Sequence, residues 1–71
     1  MTARILTAFD GRRYRLDEII TGEKARASQI YPGFVQLNIS PEGASVPNQA
    51  GVTLPAWLAH AWMQNRVRVK V

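Results

Sequence analysis

The sequence predicts a small α+β domain: short, mostly antiparallel strands, a short N-terminal helix and one C-terminal amphipathic helix. Three stretches predict it. "RILTAFDGRRYRL" sets Asp10-Gly11 between two segments with apolar and aromatic residues, the pair that suits a two-residue hairpin turn with positive φ at both positions. "FVQLNI" has Phe34, Val35, Leu37 and Ile39 as strand formers, with Gln36 and Asn38 alternating to the other face. "TLPAWLAHAWMQN" carries Leu54, Trp57, Leu58, Ala61 and Trp62 at i, i+3, i+4, i+7 and i+8, an apolar stripe of helical period.

The other elements follow from local chemistry. Leu16, Ile19 and Ile20 in "LDEIIT" predict a short helical turn near residue 18, with acids near its N-terminus and Gly22 as its stop. "EKARASQI" is polar and nearly alternating, which suits an exposed strand or an extended connector. Pro32-Gly33 matches the central pair of a type II turn. "SPEGASVPNQAG" is a loop by composition, with Val46 as a brief pairing residue, and Val52 to Leu54 resume a strand. Pro55 sits where a helix begins, because the first turn leaves its missing N–H unpaired in any case. Asn65 is a suitable stop. "RVRVKV" then has period two, with Val67, Val69 and Val71 on one face and Arg66, Arg68 and Lys70 on the other.

At 71 residues the chain has room for one domain, residues 1–71, and a chain of about 60 residues buries only roughly 60% of its unfolded surface. Without cysteine, no disulfide framework supplements that core. No apolar run nears the roughly 20 residues of a membrane span and no signal-peptide h-region is visible, so a soluble, intracellular, uncleaved protein is expected.

The residues offer no enzyme. Asp17 and Glu18 are adjacent, and neighbours in a helical turn point in different directions. His60 has no second histidine or cysteine at metal-ligand spacing, no serine sits in a nucleophile motif, and the five glycines form no phosphate loop. Neither cofactor, metal nor small-molecule substrate is expected. Leu54, Trp57, Leu58 and Trp62 are expected as core or interface anchors, the tryptophans sharing the helical stripe rather than standing out as base-stacking platforms.

The net charge of +4 is unevenly placed: +3 over residues 1–15, −2 over 16–50 and +3 over 51–71. If the ends meet, Arg12, Arg13, Arg15, Arg66, Arg68 and Lys70 would form one basic patch for phosphate contact; otherwise they are solvated faces that keep a small domain soluble.

Two segments carry a family resemblance. "LPAWLA" (54–59) resembles the L-P-x-W-L-A signature that ends the small B domain of GINS subunits. "YRLDEIITGEK" (14–24) resembles the L-D-D-I-L segment followed by Glu-Lys in the third Psf-type subunit and its archaeal counterpart. The order agrees as well: short acidic helix, polar stretch, proline turn, hydrophobic strand, variable loop, tryptophan helix, strand. The resemblance covers about residues 14–71; Ala56 departs from it where the family has a larger apolar residue, and Trp62 is additional.

The resemblance implies a non-catalytic scaffold of the DNA replication machinery. GINS is a four-subunit assembly that joins the MCM helicase and a RecJ-like factor into the active replicative helicase of eukaryotes and archaea. Partners would then be the other GINS subunits, MCM and the RecJ-like factor, in the nucleus of a eukaryote or the cytoplasm and nucleoid of an archaeon, with DNA contact at most electrostatic and no membrane. Leu54, Trp57, Leu58 and Trp62 would hold the domain together and dock it, and Val67 to Val71 would lead towards the helical A domain, which this chain does not include. The alternative is a stand-alone small basic domain that binds nucleic acid, with affinity falling steeply as salt rises.

Overall fold

The computed structural model describes residues 4–45 and 50–71. Strand β1 (Ile5–Thr7) pairs antiparallel with β2 (Arg13–Ile20), Ile5 opposite Arg15 and Thr7 opposite Arg13. The hairpin forms as expected, but its turn is longer. Phe9, Asp10 and Gly11 form a three-residue loop in which Gly11 N–H donates to Ala8 C=O (2.9 Å) and Ala8 N–H to Arg12 C=O (2.8 Å). Only Gly11 takes positive φ, at +88°. This is a type I turn closed by a left-handed glycine, and Asp10 stabilises it by accepting the Arg12 N–H at 3.0 Å.

The helical turn expected near residue 18 is not there: β2 runs straight through it. The reason is a bulge. Pairing with β3 (Phe34–Pro41) steps from Leu16 opposite Ile39 to Glu18 opposite Asn38, leaving Asp17 as the extra residue. Leu16 and Ile19, three apart, therefore both fall on the face of the buried Ile39 and Leu37. An i, i+3 spacing read as helical is the imprint of a bulged strand.

The short N-terminal helix, α1, lies instead at Gly22–Ala27, in the segment expected to be extended, and Gly22 (φ +62°) begins a helix rather than ending one. Its end is a Schellman closure: Gln29, at φ +61°, donates its N–H to Arg26 C=O (3.1 Å), and Ile30 N–H reaches Ala25 C=O (2.9 Å). The expected type II turn follows, with Phe34 N–H on Tyr31 C=O at 3.0 Å and Gly33 at φ +84°.

β3 and β4 (Ala50–Pro55) complete a four-stranded antiparallel sheet in the order β1-β2-β3-β4. Pro55 caps helix α2 (Ala56–Met63), one residue ahead of the helix itself. Asn65, at φ +59°, ends α2 with a second Schellman closure: its N–H bonds Trp62 C=O at 3.0 Å and Arg66 N–H bonds Ala61 C=O at 2.9 Å. The expected terminal strand shrinks to one parallel bridge, Val69 to Ala8, with Phe9 N–H on Val69 C=O at 2.8 Å. Val67 packs half-buried against the core, Val69 is buried, and Val71 is half exposed. Val46 lies outside the described residues.

The core is the sandwich of α2 and the C-terminal tail against one sheet face: Leu6, Leu37, Ile39, Leu54, Ala59, Trp62 and Val69. At its centre Trp62 is fully buried and donates its indole N–H to Thr7 C=O at 2.7 Å, so the largest side chain also satisfies its one donor. Among the described residues no helix is long and apolar enough to cross a membrane.

Candidate binding surfaces

The four anchors expected on one stripe separate. Leu54 and Trp62 are buried and Leu58 is half-buried, whereas Trp57 is 71% exposed. At 3.6 residues per turn, positions 57 and 62 lie about 140° apart around α2, so a helix that buries one turns the other outward. Leu54 reaches the core from β4 by strand alternation, not as the first member of a helical row. The inward row of α2 is Leu58, Ala59, Trp62 and Met63.

The six basic candidates also separate, although the two ends of the chain do meet at Ala8 and Val69. Arg12 pairs with Asp10 (3.5 Å), Arg13 with Glu42 (2.9 Å) and Arg15 with Asp17 (2.8 Å). Arg13 and Arg15 stand on the sheet face turned away from α2, because their neighbours Tyr14 and Leu16 take the core side. Arg66, Arg68 and Lys70 are exposed and make no ion pair among the described residues, and no acidic residue follows Glu42. Of the six candidates, the three on the tail are the ones without an ion pair among the described residues, as are Arg4 and Arg26 elsewhere on the surface.

Asp17 and Glu18 are engaged in structure. The carboxylate of Asp17, the bulge residue, takes the Arg15 guanidinium and the buried Ser40 hydroxyl, and Arg15 also donates to Ala44 C=O at 3.2 Å. Glu18 accepts from Lys24 (3.2 Å) and from Asn38 (3.4 Å), which in turn accepts from Gln36 at 2.8 Å. This polar network covers the face of the sheet opposite α2. Gly51 belongs to it by omission: a Cβ there would lie 2.7 Å from the Gln36 amide nitrogen. His60 is exposed, its Nε2 3.1 Å from Gln64 Nε2. Among the described residues no three His, Cys, Asp or Glu side chains gather as a metal-binding group.

Among the described residues, the exposed aromatic rings fall on two surfaces. The first is an open depression of about 340 Å³ at the end of the sheet where the α1–β3 turn meets the start of α2, drawn together by Ala56 N–H on Gly33 C=O at 2.8 Å. Ala25, Ile30, Pro32, Val35 and Ala56 form its mostly apolar lining, Thr21 and Arg26 lie along it as well, and Tyr31, 80% exposed, and Phe34 stand at it. The second surface follows the outer face of α2 and the tail, with Trp57, His60, Gln64 and Arg66 around one groove and Phe9 and Lys70 around another. Sequence patterning passes over Tyr31 and Phe9, since each belongs to a turn, where period carries no information; the Pro32-Gly33 and Asp10-Gly11 signals locate the turns but not the direction of the flanking ring. The chain matches no known protein-family model, and neither a curated protein nor a solved structure is significantly similar to it.

Proposed function

We propose that this chain is a non-catalytic interaction domain of the DNA replication machinery, a GINS-like scaffold that supports assembly of the MCM replicative helicase with the other GINS subunits and a RecJ-like factor. The observation that carries the docking role is the apolar depression at Tyr31 and Phe34. A small domain that leaves Tyr31 uncovered and Phe34 partly exposed beside a shallow, mostly apolar floor has the makings of a protein contact, where aromatic anchors concentrate the binding energy. The link to replication rests on the sequences of residues 14–24 and 54–59, the first of which forms β2 and the start of α1 in place of the short acidic helix of the GINS pattern. The second of these segments forms the β4–α2 junction, and its Ala56 lines the depression, where the larger residue of the GINS pattern would occupy part of it.

Affinity purification of the tagged domain from its source organism, eluted in steps of rising salt, tests the reading. MCM or GINS components should survive high salt and be lost in the Tyr31→Ala/Phe34→Ala double variant. Recovery of nucleic acid alone, released at moderate salt, would overturn it.

A further inference from the structure

We infer that the outer face of α2 and the C-terminal tail form a binding track for single-stranded nucleic acid, with Trp57 and Phe9 as stacking platforms at its two ends and Arg66, Arg68 and Lys70 as phosphate contacts between them. This site is separate from the depression at Tyr31 and Phe34, so either proposal stands if the other fails.

The track is built by the way the chain leaves α2. Asn65 in the left-handed conformation turns the backbone out of the helix, and Val67 and Val69 then pack toward the core. Burying the valines sends the residues that alternate with them outward. Arg66, Arg68 and Lys70 thus form an exposed row held at its far end by the Val69–Ala8 bridge and the Phe9 N–H. The row is anchored, so its cations lose less freedom on binding than those of a loose tail.

The aromatic rings bracket it. Trp57 shares a groove of about 440 Å³ with Arg66, His60 and Gln64. Phe9, 73% exposed on the hairpin loop, shares another with Lys70. Asp10 also lines that second groove, but its carboxylate is held by the Arg12 backbone N–H and guanidinium. Each ring lies next to a cation that makes no ion pair among the described residues. Aromatic rings beside a row of cations are the elements by which proteins hold single strands: bases stack on the rings and phosphates run along the charges. A duplex keeps its bases stacked on one another and would leave both rings unused. An acidic peptide would use the cations but has no need of two flat faces.

The test is fluorescence anisotropy of a short labelled oligothymidine against the whole chain, repeated over a range of salt. Binding should weaken linearly on a log–log plot, with a slope of roughly −2 for three phosphate contacts on a single strand. Trp57→Ala should weaken binding about 5- to 150-fold at unchanged slope, from a stacked base worth ~1–3 kcal/mol. Arg68→Gln should reduce the slope by about 0.7. Both side chains are exposed, and circular dichroism of each variant checks that it folds. No binding at low salt would overturn the inference. So would oligothymidine binding indifferent to Trp57→Ala and Phe9→Ala, or equal affinity for a duplex or for polyglutamate, the last marking an acidic-peptide site.

Discussion

Replacing Trp62 with alanine should come close to unfolding the protein, while the same change at Trp57 should hardly be felt. At about 0.05–0.15 kcal/mol per residue, 71 residues give a total stability of roughly 4–11 kcal/mol. Trp62 has no exposed surface, so its truncation costs about 3–5 kcal/mol in lost contacts and cavity. The Thr7 carbonyl loses its 2.7 Å donor as well, adding about 1 kcal/mol. Trp57 is 71% exposed and its truncation should fall within about 0.5 kcal/mol of zero. The assay is urea denaturation followed by far-ultraviolet circular dichroism, since each variant alters the fluorescence. With a slope of about 1–2 kcal/mol per molar urea, Trp62→Ala, at about 4–6 kcal/mol in all, should lower the midpoint by roughly 2–6 M, or abolish the folded baseline. Trp62→Phe provides a measurable intermediate. A Trp57→Ala cost equal to that of Trp62→Ala would refute the division of the two rings between core and surface.

Three further outcomes are expected. Gln29→Gly and Asn65→Gly should each stabilise the domain by about 0.5–1 kcal/mol, seen as a higher melting temperature, because both residues hold the left-handed conformation that glycine takes without strain. Arg15→Ala should cost about 1–3 kcal/mol in chemical denaturation, since it removes a hydrogen-bonded partner from the mostly covered Asp17 carboxylate; Arg12→Ala, at an exposed pair, should cost under about 0.5 kcal/mol. Val69→Ala should speed hydrogen exchange at the Phe9 amide, which bonds the Val69 carbonyl, more than at Gly11, whose partner Ala8 lies within the turn.

The α+β class and most elements were legible because they rest on short-range rules. Alternation marks β3, Pro32-Gly33 marks a type II turn, and Pro55 and Asn65 bracket α2. What escaped depends on neighbours. The bulge at Asp17 arises only when β2 pairs with β3, and it makes Leu16 and Ile19 imitate a helix. Once that strand is recognised, "GEKARA" is left to form α1, with acid at its start, base at its end and one buried contact at Ala25. The candidate site was less legible still. A helical stripe counted from Leu54 assigns Trp57 to the core because it counts a strand residue as helical, and charge counting cannot foresee that Arg12, Arg13 and Arg15 each acquire a carboxylate. Period two in the tail did forecast Val67 and Val69 inward with cations outward, although only Val69 makes a backbone bridge.

The most direct test of the docking role is equilibrium binding of the purified chain to purified MCM and GINS partners from the same source, measured at low and high salt for the wild type and for Tyr31→Ala/Phe34→Ala. The apolar depression predicts an affinity that changes little with salt and falls at least ten-fold in the double variant, with the fold intact by circular dichroism. No affinity for those partners, or one that salt abolishes and the double variant leaves unchanged, would contradict a scaffold that docks through Tyr31 and Phe34.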